Sequence, residues 1–295
     1  MFKPLTTLLL CCLLGLAPAV RAADAASAPQ MTQEQFLSSL TFQQGKITLP
    51  GNIATLDLPS GFRYLSPADA TKVLVDGWGN PPGVTSLGMI VPANTNVLSQ
   101  DGWGVVITYN KDGHVKDDDA DSIKYDELLK EMKEGLANHN EERQKAGYPA
   151  MHLIGWAEQP SYEKASHKLY WAKELKTDGA PENGLNYNIR VLGREGVLVL
   201  NAVAGMGQIA RIKTEMKQVT AFTDFTDGNR YSDFNSSTDK VAEYGLAALV
   251  AGGVASKLGL FGKLLALLVA FKKVIFLVVA GAFGAIYKFV KREKT

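Results

Sequence analysis

From Leu185 to Val191 apolar and polar side chains alternate: Leu185, Tyr187, Ile189 and Val191 fall on one side, Asn186, Asn188 and Arg190 on the other. A period of two predicts a strand with one buried face. The run from Val197 to Val203 is mostly apolar and predicts a central strand, joined to the first by a turn over residues 193–196. Upstream, HLIGWAEQPSYE and KLYWAKELKT read as two further strands, and WGVVITYN as another, with residues 110–113 predicting a hairpin turn into HVKD. KITLPG and NIATLDLP predict a hairpin turning at residues 50–52.

Helical spacing is confined to a few segments. A short candidate covers residues 32–40. In the second, Ser66 is placed to cap, Pro67 to take the first turn and Asp69 to complete the box, with Ala70, Val73 and Leu74 as the apolar face. Gly77 then predicts a left-handed C-terminal residue, with Trp78 packing back over the helix end. Tyr125, Leu128, Leu129, Met132 and Leu136 predict a long helix over residues 125–146, with Asp126/Lys130 and Glu141/Lys145 pairs outside and Gly147-Tyr148-Pro149 as its stop. A last helix begins near Gly207, with Ile209, Ile212, Met216 and Val219 inward. Strands joined by short turns, with two or three helices on one face, predict an α+β fold built on an antiparallel sheet.

The tetrapeptide DGWG occurs at residues 76–79 and 101–104. The first copy closes a helix and the second opens a strand, so the echo predicts two different loops rather than a repeated ligand site.

The two ends change the picture from a simple globular domain. Residues 1–22 have a basic start, an apolar stretch and small residues before Ala23, the pattern of a secretory signal peptide whose removal takes both cysteines with it. Residues 23–40 read as a flexible lead-in with a short helix, and 41–240 as the exported domain. Residues 241–273 read as amphipathic or re-entrant apolar helices, 274–290 as a transmembrane helix and 291–295 as a basic cytoplasmic tail. Residues 23–244 hold 21 basic and 29 acidic side chains, whereas residues 245–295 hold 8 and 1. An acidic domain argues against nucleic acid, and a basic tail favours anionic lipid. One crossing places the domain in the periplasm, the anchor in the inner membrane and the C-terminus in the cytoplasm; a second crossing by the preceding apolar segment is the alternative. Gly/Ala faces in the tail suit homo-oligomer packing.

Candidate chemistry is sparse. The four histidines, His114, His139, His152 and His167, form no close metal-ligand pair, and neither a nucleophile elbow nor a phosphate loop is present, so no cofactor is expected. Asp117, Asp119 and Asp121 match the opening of a calcium loop, but Ser122 stands where its glycine belongs and Leu128 where its bidentate glutamate belongs. The helix that follows explains the same acidic residues by dipole complementarity. The candidate binding residues are Trp78 and Asn80 in one loop, Trp156, Pro160 and Tyr162 in another, and Arg190 and Arg194 as anion contacts.

The segments LPSGF, DGWGN, HLIGWAEQPSY, LYWA, NYNIRVLGREG and AEYGLAALVAGGVASKLGLF resemble a family of uncharacterised membrane-anchored proteins of Gram-negative bacteria, known only as a domain of unknown function. The resemblance covers nearly all of the chain after its leader. It implies an exported domain with a C-terminal anchor and assigns no catalytic residue. The expected role is a non-catalytic binding or scaffolding domain for another envelope protein or a cell-wall ligand. The alternative is an envelope-polymer hydrolase using paired carboxylates such as Glu158 and Glu163 or Asp117 and Asp119.

Overall fold

A computed structural model describes residues 31–251. The expected signal peptide, transmembrane helix and basic tail lie outside those residues. The chain divides into two compact units, residues 1–38 and 39–295. In the first, helix α1 (Gln33–Ser38) opens on a reciprocal cap: Gln35 N donates to Thr32 Oγ1 at 3.2 Å, and Thr32 N to Gln35 Oε1 at 2.9 Å.

The second unit begins with β1 (Phe42–Gln43), β2 (Gly45–Thr48), β3 (Ala54–Leu58), β4 (Phe62–Leu65), α2 (Pro67–Lys72), β5 (Gly88–Pro92) and β6 (Gly104–Asn110). It continues with α3 (Tyr125–Lys145), β7 (Met151–Glu163), β8 (Lys168–Thr177), β9 (Gly184–Leu192), β10 (Val197–Gly205), α4 (Ile209–Ala221), β11 (Thr223–Phe225) and α5 (Leu246–Ala251). Eight strands form one antiparallel sheet in the order β1-β4-β5-β6-β10-β9-β8-β7, and a small sheet runs β11-β3-β2. Antiparallel sheet with several helices packed on it is the α+β architecture that the alternation predicts.

Strand alternation separates two cores. Leu185, Tyr187 and Ile189 of β9 join Leu198, Leu200 and Ala202 of β10 on one face, against Ile212, Met216 and Val219 of α4 and Leu56 and Phe225 of the small sheet. On the other face Leu169, Trp171, Leu192 and Val197 meet Leu246, Leu249 and Val250 of α5 and the apolar stripe Tyr125, Leu128 and Met132 of α3. Burial of six such apolar side chains contributes on the order of 10 kcal/mol before entropy is counted. The β9–β10 turn is tight because Gly193 N donates to Gly196 O at 2.8 Å. At Gly196 a Cβ would run into the Asn110 backbone, so this close approach needs glycine.

Several expectations change. HVKD does not continue a hairpin from β6: both edges of β6 are already taken by β5 and β10, so His114 leaves the sheet and bridges Val241 in parallel instead. The left-handed glycine after α2 is Gly79 (φ 68), not Gly77, because a π turn over Val73–Gly77 widens the helix end and delays its exit. The short strands β5, paired with β4 and β6, and β11, paired with β3, carry no alternation long enough to announce them. Among the described residues no helix is long and apolar enough to cross a membrane.

The two DGWG loops converge without being equivalent. Trp78 Nε1 donates to the Val97 carbonyl at 3.0 Å, and Gly102 of the second copy lies against that same carbonyl, where a Cβ would not fit. Trp103 is fully buried in the core instead.

Candidate functional site

On the α5-facing side of the sheet, four rings stack in the order Phe234, His114, Tyr231, His167. Their centroids are 3.9, 4.2 and 4.0 Å apart. The rings come from three segments, with Tyr231 and Phe234 in one of them, so the stack ties the chain after β6 and the β7–β8 turn to the stretch before α5. Asp117 sits at its edge. Tyr162 on β7 donates its hydroxyl to Asp117 Oδ2 at 2.7 Å, and His167 Nδ1 lies 3.7 Å from the same oxygen and 3.2 Å from the Tyr162 hydroxyl. Tyr231 donates to the Val115 carbonyl at 3.0 Å and lies 3.5 Å from Asp117 Oδ1.

This arrangement holds protons firmly on the phenols. Burial first, and the Asp117 carboxylate second, raises Tyr162 far above its ordinary value and Tyr231 up to about 12. Burial holds the His114 imidazole below its usual value, partly offset by hydrogen bonding to the Arg194 and Gly193 backbone and by Asp117. His167 occupies the left-handed region at φ 51, a conformation costing a non-glycine residue about 1 kcal/mol. Its carbonyl accepts from Leu192 N at 3.0 Å, which holds the turn in place.

Of the three aspartates that match the opening of a calcium loop, Asp117 and Asp119 have separate protein partners. Asp119 accepts from the Leu246 and Ala247 N–H groups at 3.0 and 3.3 Å, capping α5. Asp117 holds Tyr162, and Asp121 stands in a 3-10 turn over Ala120–Ser122. Among the described residues no group of three or more His, Cys, Asp or Glu side chains is placed to hold a metal ion.

The expected binding residues do not form one patch. Trp78 and Asn80 follow α2, which packs on β4 and β5, whereas Trp156, Pro160 and Tyr162 lie on β7 at the far edge. Five strand spacings separate β5 from β7, about 24 Å. Asn80 Nδ2 donates to the Leu74 carbonyl at 3.0 Å, closing the helix end. Trp156 and Tyr162 pack into the α5-facing core. Pro160 is buried where the β7–β8 register slips between Glu158 and Ser161, and an edge-strand irregularity is a position that tolerates proline. Arg194 grips Asp239 with two hydrogen bonds, 2.7 and 2.9 Å. Arg190 lies 4.8 Å above the Trp171 ring.

Sequence reasoning missed the stacking of His114, His167, Tyr231 and Phe234, because rings from three separate segments share no spacing. Lys173 was missed as well, although its period-two spacing after Leu169 and Trp171 places it on an apolar face.

Comparison with known proteins leaves the site without a described counterpart. No curated protein matches the chain. Two solved structures are similar at 10% identity: the cyanobacterial PsbP protein CyanoP of Synechocystis (TM-score 0.33, 70% of this chain and 99% of that one) and the Ran-binding protein Mog1p of Saccharomyces cerevisiae (TM-score 0.30, 67% and 100%). The sequence pattern of the proteins of unknown function DUF2167 matches residues 41–283, and the chain belongs to that family.

Proposed function

We propose that this protein is a membrane-anchored domain of the bacterial envelope, facing the periplasm, that binds a partner or cell-wall ligand without transforming it. The leader and the apolar, basic C-terminal segment support anchoring in the inner membrane. One observation carries the non-catalytic part: the carboxylates of each candidate hydrolytic pair are already engaged within the protein. Glu158 is ion-paired with Lys213 at 2.9 Å, and Glu163 accepts from Ser166 at 2.5 Å. Asp117 holds Tyr162 and Asp119 caps α5. A glycosidase pair needs two carboxyl groups free to face one bond, one as acid and one as base or nucleophile.

The test uses the purified full-length chain in neutral detergent with isolated cell-wall sacculi, alongside in-cell crosslinking of the native protein. Binding predicts cosedimentation or a discrete crosslinked envelope partner, with no soluble fragments released over time. Fragment release that disappears in Glu158→Gln or Glu163→Gln would replace this reading with hydrolysis.

A further inference from the structure

Lys173 and Arg190 stand on the same face of neighbouring strands. Lys173 follows Trp171 by two residues on β8, and Arg190 precedes Leu192 by two on β9; Trp171 and Leu192 both belong to the α5-facing core. Arg190 has one acceptor among the described residues, the Ile189 carbonyl at 3.4 Å. Its guanidinium also rests on the Trp171 ring, and the Tyr244 phenol is an electrostatic neighbour.

Among the described residues neither cation has a carboxylate partner; the ion pairs of lysines and arginines involve Lys72, Lys111, Lys124, Lys145, Arg194, Arg211, Lys213 and Arg230 instead. Burial, and then the charge of Arg190, pulls the Lys173 ammonium down to about 8, and burial pulls Arg190 down to about 10. In the β8–β9 register Lys173 stands opposite Asn186 and Arg190 opposite Leu169, four positions along the same half-buried face, and without a countercharge among the described residues their mutual repulsion is unfavourable. The sequence outside the described residues offers few carboxylates: Asp24 in residues 1–30, and Glu293 in residues 252–295 beside eight Lys or Arg.

Hydrogen-bond donors collect around the pair. Trp156 lies opposite Lys173 in the β7–β8 register, and the indole N–H groups of Trp156 and of the fully buried Trp171 have no acceptor among the described residues. Asn186 and Asn188 share the parity of Arg190 on β9, and Asn201 pairs with Asn188 from β10. Their amides are joined by the 3.1 Å bond from Asn201 Nδ2 to Asn186 Oδ1.

We infer that this face binds an oxyanion, a phosphate or carboxylate group of the ligand, with Arg190 and Lys173 supplying charge and the Trp156 and Trp171 indoles supplying neutral donors. The inference rests on the binding reading above and gives it a chemical class. An oxyanion accepts from a planar guanidinium through two oxygens and from an ammonium as a point charge. Its charge offsets the repulsion between the two cations.

The experiment titrates the full-length chain in neutral detergent with inorganic phosphate and, separately, with acetate, at constant ionic strength set with chloride. Melting temperature and tryptophan fluorescence are followed. At least one anion is expected to give a saturable rise in melting temperature with a fluorescence change, and the arm that saturates identifies the group. Lys173→Met weakens the apparent affinity at least about tenfold, the loss expected for one charge-assisted hydrogen bond. Its ligand-free melting temperature stays equal or rises, because an uncompensated charge has been removed. Arg190→Gln behaves alike, and Lys173→Arg retains binding. Flat titrations with both anions, or equal affinity in Lys173→Met, would overturn the site. A flat titration alongside continued partner capture defeats the oxyanion inference alone, whereas polymer cleavage defeats the binding reading itself.

Discussion

The Tyr162 hydroxyl reaches the Asp117 carboxylate across 45 residues of sequence, at 2.7 Å, from the edge strand β7 to the loop after β6. Tyr231 approaches the other oxygen of the same carboxylate from a third segment. One side chain, Asp117, thereby joins three parts of the chain that no local signal brings together.

Tyr162→Phe is expected to destabilise the full-length chain by about 1–2 kcal/mol, because it leaves a largely buried carboxylate one donor short. Asp117→Asn keeps the shape and costs less. The double substitution should cost less than the sum of the two, as coupled partners do. Denaturant unfolding of the four proteins in detergent measures the coupling; strict additivity would show that the bond contributes nothing.

The Arg194 fork, followed by the Asn235 N–H, holds the Asp239 carboxyl well below the ordinary carboxylate range. A group whose folded value is depressed lends stability above its unfolded value, about pH 4, and loses it as pH falls. Acidification through that window therefore lowers the melting temperature of the native chain. Asp239→Asn should lower it at neutral pH and show a shallower acid limb. Parallel limbs in a pH series of thermal melts would rule out this contribution.

Gly102→Ala places a Cβ against the Val97 carbonyl, which also accepts from Trp78. The atoms it meets are Asn96 and Val97 backbone rather than a flexible side chain, so a loss of about 2 kcal/mol or more is expected. Gly79→Ala meets open space and suffers only its positive φ, about 1 kcal/mol. Comparing the two variants by thermal unfolding tests whether the DGWG copies have different jobs.

Calcium at millimolar concentration should leave the melting temperature unchanged, because Asp119 is committed to the Leu246 and Ala247 amides and Asp117 to Tyr162. Asp119→Ala should cost about 1 kcal/mol as the loss of a helix cap. A calcium-dependent rise in stability that Asp119→Ala removes would instead establish a metal site.

Much of the frame was legible because it depends on local chemistry. Alternation in Leu185–Val191 marks β9, the Ser66-Pro67-Asp69 box marks the start of α2, and the spacing of Ile212, Met216 and Val219 marks the buried stripe of α4. These signals lie within a few residues of one another, where backbone period and capping operate. The limits of such reading appear at HVKD, where a plausible turn yields to competition for the edges of β6. Strand β5 is likewise selected by its neighbours rather than by its own pattern.

The amino-acid sequence alone determined the antiparallel α+β character and the near absence of catalytic motifs. Tertiary structure alone decided that His114, Tyr231 and His167 stack, that Asp119 caps a helix 127 residues away, and that Lys173 and Arg190 share a face with no ion-pair partner for either among the described residues. The reason is physical: periodicity is a property of the local backbone, whereas charge compensation and ring stacking depend on which distant strands become neighbours.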